Sequence, residues 1–250
     1  MIRQTILALA FLAAPALSQA PAMAGDKPIA VVELFTSQGC SSCPPADALF
    51  GELVAEGEVV ALAYHVDYWD YLGWKDTLGS PGSTARQRAY GRALGQTSIY
   101  TPQVVVNGRT HMAGSNSGAV RRAIETRADT VEGLTVDLSA TYAGENLVIE
   151  AGAGQIGQRK AHVILVSFDA AHVVQIQRGE NRDRTLTYHN AVTAMQTVGV
   201  WKGRSARFEL PMNEIAAKGT GGCAVLLQAV GTDGLPGPIL GATMVMFPSG

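Results

Sequence analysis

The sequence predicts two units of different class: an α/β unit over residues 25–132 and an all-β, sandwich-like unit over 133–250, behind a leader at 1–24. Three observations lead there. The first half alternates apolar, β-branched runs with stretches of helical spacing, as expected of strands covered on both faces. The second half carries short strand-like runs at regular intervals, which suits an antiparallel sandwich. The first 24 residues read as an address rather than as structure.

The leader has a short basic start at Arg3, a nearly unbroken apolar run from Thr5 to Leu17 and an Ala22-Met23-Ala24 cleavage site. The run is too short to span a bilayer, so a cleaved signal and a periplasmic or secreted location are expected, with no membrane span after cleavage. The chain of 250 residues is 47% hydrophobic and 16% charged, with a net charge of −2. That composition supports a packed core and excludes a disordered chain. No basic stripe with interleaved aromatics marks a nucleic-acid partner.

From the N-terminus, Ile29–Thr36 is an expected buried strand and Ala46–Ala55 a helix. Val59–Val66 is a second strand, Ser83–Leu94 an Arg-rich helix, and Thr101–Asn107 a third strand that turns at Asn107-Gly108 into Arg109–Met112. A last helix covers Ser117–Asp129. Beyond residue 133, strands are expected at Leu134–Tyr142, Leu147–Glu150, His162–Phe168, Val173–Gln177, Gln196–Trp201, Ala206–Leu210, Ala224–Val230 and Thr243–Phe247. The polar stretch Gly179–Asn190 reads as a hydrogen-bonded loop carrying Asn181, Arg182, Arg184 and His189.

Two of the three cysteines, Cys40 and Cys43, lie between the first strand and the first helix. A helix start offers unpaired N–H groups and the positive end of the macrodipole, both of which favour a thiolate. In an exported chain this spacing suits a redox pair in which Cys40 attacks and Cys43 resolves. The Ser41 and Ser42 hydroxyls can donate to a sulfur. Pro44-Pro45 puts the regular helix start at Pro45, and Asp47 in the first turn opposes a thiolate by its charge. Two other readings remain open. One is copper binding by the cysteines with His111 or Met112; the other is a structural disulfide in a non-catalytic binding protein. No metal or other cofactor is required by the redox reading. Trp69, Trp74 and Asp67, in the aromatic segment Tyr64–Asp76, are candidate substrate-binding residues. Arg86, Arg88 and Arg92 form a possible basic stripe, and Cys223 reads as a buried strand thiol.

The run Val32–Asp47 (VELFTSQGCSSCPPAD), His65–Asp70 with Gly73-Trp74, Tyr100–Gln103, and Gly179–Arg182 with Thr185-Leu186 resemble the signatures of a family of exported, mostly bacterial proteins known only as a domain of unknown function. The resemblance covers nearly the whole mature chain. It implies a thioredoxin-like domain followed by a β-rich one. It further implies a cis Thr101–Pro102 bond beside the cysteines, and Glu33 as a buried acid that exchanges a proton with Cys43. The function expected is that of an exported thiol–disulfide oxidoreductase acting on protein or small-molecule thiols and disulfides, served by an unknown redox partner.

Overall fold

Two neighbouring strands that are buried at every residue form the centre of the computed structural model, which describes residues 27–128, 130–157, 159–231 and 233–247. The leader at 1–24 lies outside the described residues. The central strands are β1 (Ala30–Thr36) and β2 (Val59–His65), paired in parallel across α1 (Pro44–Glu56). Prolines occupy the first positions of α1, where a missing N–H costs nothing, and Gly57 ends it at a left-handed φ of 73°. A short 3-10 turn (Asp70–Leu72) precedes α2 (Pro81–Ala93), whose cap Ser80 accepts a hydrogen bond from Ser83 N. Then follow β3 (Gln103–Val106), β4 (Thr110–Ala113) and α3 (Ser117–Ala128).

The second half adds β5 (Leu138–Ala143), β6 (Asn146–Ala151), β7 (Ala161–Gln175), β8 (Thr185–Trp201), β9 (Ala206–Pro211), α4 (Met212–Ala216), β10 (Gly222–Val230) and β11 (Pro236–Met246). Eight strands form one mixed sheet in the order β11-β10-β7-β8-β2-β1-β3-β4, and β5-β6-β9 form a small second sheet.

The expected thioredoxin-like α/β domain with a separate C-terminal β-sandwich-like domain is not what forms. The described residues are mostly β, with 21% in helix, and the large sheet runs through both halves of the chain. The reason lies at β2. Its far edge is buried and needs a hydrogen-bonding neighbour, and β8 supplies it in parallel at Ala63↔Ala191. Asn190 secures this seam by donating from Nδ2 to Ala61 O (3.0 Å).

Burial gives the same result. One face of β1 and β2 packs Val32 and Leu34 against Leu49 and Phe50 of α1 and Val120 of α3. The opposite face packs Phe35, Leu62 and Tyr64 together with Val166, Phe168, Leu226 and Ile239 from the second half, in one shared core. The small sheet covers the far end, with Leu147 and Ile149 against Val163, Leu165, Val225 and Trp201.

Candidate functional site

Thr36 ends β1, and the chain turns tightly into α1. Cys40 N donates to Ser37 O (3.1 Å) and Cys43 N to Cys40 O (3.2 Å). The turn brings the two cysteines to a Cα separation of 5.4 Å, joined as a disulfide. Cys43 is the N-cap of α1, so the helix begins at Pro44, one residue earlier than the sequence suggests. Cys40 is 2% exposed and Cys43 is fully buried, beneath the exposed rim of Ser41 and Ser42.

The helix start differs chemically from the expectation. Pro44 and Pro45 have no N–H, and the N–H groups of Ala46 and Asp47 are bonded to Cys43 O (2.8 and 3.1 Å). The backbone donors expected for a thiolate are therefore absent or occupied, leaving only the helix dipole. The donor that does face Cys40 is Ser42, whose Oγ lies 3.4 Å from Cys40 Sγ.

Three segments surround this turn. Thr101 and Pro102 open the approach to β3. The Thr101–Pro102 peptide is cis, Pro102 is buried, and Thr101 O lies 3.5 Å from Ser42 Oγ. Trp69 donates from Nε1 to Thr101 Oγ1 (2.8 Å), and Trp74 to Gln38 Oε1 (2.9 Å). Gly39 leaves room for Trp69, whose Cβ would stand 3.2 Å from any added Cβ. The third segment comes from the β7–β8 hairpin: Asn181 Nδ2 donates to both Gln38 O (3.0 Å) and Cys40 O (2.8 Å).

Behind the turn lies a buried polar group. Asp47, one helical turn after Cys43, accepts a hydrogen bond from Thr36 Oγ1 (2.7 Å), and its other oxygen has no partner among the described residues. Burial pushes the Asp47 carboxyl up to about 6, against the Thr36 bond and His65, which pull it down; Asp76 adds to the rise. His65 Nδ1 lies 2.9 Å from Asp76 Oδ2, which also accepts from Gln38 N (2.8 Å). Burial opposes the Asp76 charge, but His65 and the Gln38 and Leu78 N–H groups outweigh it and hold the carboxyl below its ordinary value. Tyr188 of β8 meets His65 edge to face at 4.7 Å. His65 Nε2 and the Tyr188 hydroxyl are, like Asp47 Oδ2, buried without partners among the described residues.

The structure thus brings Cys40, Cys43, Thr101, Pro102, Trp69 and Trp74 together. Glu33 lies elsewhere. Its neighbours on alternate positions, Val31 and Phe35, face the shared core, away from α1. There Glu33 accepts from Arg86 Nε (2.6 Å) and from the Tyr90 hydroxyl, and Arg86 and Tyr90 both bond Gln228 of β10. Arg86 is therefore buried, neither on a solvated helical face nor in a basic stripe with Arg88 and Arg92. Asp67 accepts from Thr84 Oγ1 (2.6 Å), an attachment of the aromatic segment to α2. His111 Nδ1 lies near Gln96 Nε2 (2.9 Å) and the Tyr100 hydroxyl (3.0 Å). No group of three or more His, Cys, Asp or Glu among the described residues is arranged to hold a metal ion. Cys223 is buried in β10, and burial pushes its thiol up to about 12.

Sequence reasoning placed Asp47 only as a first-turn charge. Its neighbours Thr36, His65 and Asp76 carry no spacing signal that links them to it. The one local cue is the helical offset of four between Cys43 and Asp47.

Comparison with known proteins adds kinship without an activity. A crystal structure of a protein from Agrobacterium tumefaciens, a structural-genomics target, is 39% identical, with a TM-score of 0.81 over 91% of this chain and 98% of that one. HBP35 of Porphyromonas gingivalis is similar in fold alone, at 12% identity and a TM-score of 0.54 over 88% of this chain and 75% of that one. No curated protein matches. Residues 31–228, which hold the cysteine turn, the seam and most of both sheets, match one family profile, and the chain belongs to that family of proteins of unknown function, DUF1223.

Proposed function

We propose that this protein is a thiol–disulfide oxidoreductase, exported on the strength of its N-terminal pattern, that exchanges electrons with protein or small-molecule thiols through Cys40 and Cys43. One observation carries the reading. A disulfide closes across the start of α1, and a buried carboxyl with a free oxygen stands one turn below it on the Cys43 side of the helix. A structural staple has no use for a buried acid with only one of its oxygens bonded, which burial penalises.

In the reductive half-reaction a substrate thiolate attacks Cys40 Sγ. A substrate–Cys40 disulfide forms, the Cys40–Cys43 bond breaks, and its electron pair leaves on Cys43 as a thiolate. Asp47, protonated in part near pH 6, supplies the proton that neutralises Cys43. A second substrate thiolate then takes the first sulfur, giving the substrate disulfide and free Cys40. The oxidative direction is the reverse. Ser42 stabilises the Cys40 thiolate, and Pro102 and Thr101 shape one side of the approach. Trp69 and Trp74 flank the other.

The test equilibrates the mature protein in glutathione and dithiothreitol buffers, traps free thiols and assigns them by mass spectrometry. A reversible couple above roughly −250 mV supports exchange chemistry, whereas one below about −300 mV marks a staple and sinks the proposal. Cys40→Ser abolishes turnover, and Cys43→Ser accumulates mixed disulfides on Cys40.

A further inference from the structure

The Ser41–Ser42 rim is the way in to Cys40, and one wall of it comes from the far half of the chain. Arg182 N donates to Gly179 O (3.2 Å), so Glu180 and Asn181 are the two corner residues of the turn at the apex of the β7–β8 hairpin. Gly179, at a φ of 77°, leaves space for Trp74, whose Cβ lies 3.2 Å from where a Cβ would stand. Asn181 is 1% exposed and holds the apex down by its two hydrogen bonds to Gln38 O and Cys40 O. Fixed by its neighbour, the exposed Glu180 places Oε2 3.4 Å from Ser41 N, beside the rim. Glu180 is the only charge at the apex corners. Arg182 is turned to Asp183 (3.2 Å), and Asp183 and Arg184 lie back on the stem, bonded to Ile176.

We infer that Glu180 selects the substrate of the Cys40–Cys43 pair: it favours thiols and disulfides with a positive charge close to sulfur, such as cysteines flanked by Lys or Arg in a polypeptide, and disfavours anionic thiols. This rests on the proposed oxidoreductase reading and refines its substrate class. The incoming thiolate must approach Cys40 Sγ over Ser41 and Ser42, where the Glu180 carboxylate acts on any charge the substrate carries. Asn181 is a positioning residue that keeps Glu180 in place.

The experiment measures the rate at which the oxidised protein is reduced by cysteamine, 2-mercaptoethanol and 2-mercaptoethanesulfonate. These thiols are cationic, neutral and anionic, and each rate is corrected for its own thiolate fraction. The wild type reduces faster with cysteamine than with the sulfonate by roughly three- to tenfold at low salt, and less at 1 M salt. Glu180→Gln brings the ratio close to that of a neutral reference disulfide, and Glu180→Lys inverts it. Glu180→Gln raises the rate with 2-mercaptoethanol, whose only charge is the attacking thiolate, by less than it raises the rate with the sulfonate, and an unchanged melting temperature separates charge selection from damage to the fold. A ratio unaltered in Glu180→Gln overturns this inference while the oxidoreductase reading stands. Failure of all three thiols to reduce Cys40–Cys43 overturns both.

Discussion

At Asp47, a carboxyl with one partner sits in a nearly dry place. Its unfolded pKa is near 3.8 and its folded one about 6, so between these values the native state binds more protons than the unfolded chain. Stability therefore falls as pH rises from about 4 to 6 and stays lower above that. The cost at pH 8 is on the order of 3 kcal/mol. Asp47→Asn removes it: melting curves at pH 8 show the variant more stable by about 1–3 kcal/mol, with the gap closing below pH 4. In the same variant, exchange at Cys43 slows and loses its inflection near pH 6. An unchanged pH profile contradicts the proton-donor role. Ser42 has a smaller part. Ser42→Ala removes the hydroxyl facing Cys40 Sγ, and iodoacetamide alkylates the reduced Cys40 of the variant more slowly than that of the wild type at pH 7.

At the scale of elements, Arg86 and Tyr90 of α2 are tied through Glu33 to β1 and through Gln228 to β10. Glu33→Gln leaves Arg86 buried with a neutral partner and destabilises the fold by about 3–5 kcal/mol. Because Glu33 and α1 lie on opposite faces of the sheet, the reduction potential of Cys40–Cys43 stays where it was; a clear shift of that potential in Glu33→Gln would return Glu33 to the site. The helices α1, α2 and α3 were legible in the sequence through their helical spacing, with Pro44-Pro45 marking the start of α1, whereas the five-residue α4 was too short to show a period. The largely apolar β1 and β2 were legible too. The long hairpin was not. Ala170–Gln175 is largely exposed on the stem of β7 and Thr185–Asn190 is largely polar at the start of β8, so the pattern breaks β7 in two and makes the start of β8 a loop. The site divides in the same way. Cys40, Cys43, Pro102 and the tryptophans stand in short motifs, whereas Asn181 reaches Cys40 across 141 residues, a pairing that no local spacing encodes.

For the whole molecule, a sheet continuous through both halves and a core shared between them predict one cooperative unit. Trp69 and Trp74 report on the first half and Trp201 on the second. Fluorescence and far-UV circular dichroism therefore follow a single denaturant transition with one midpoint, in the wild type and in variants that keep only the Trp201 reporter or only the first-half pair. Two separated midpoints would mean that the β2–β8 seam does not couple the halves. The seam also sets an order of events during synthesis. A chain made from its N-terminus presents both cysteines long before the hairpin that covers them exists. Until β8 arrives, the edge of β2 is bare and the cysteine turn is open to any oxidant or thiol in its surroundings. The redox state of the pair is thus exposed to the compartment first and enclosed afterwards, and the finished protein starts its working life with the oxidation state acquired in that interval.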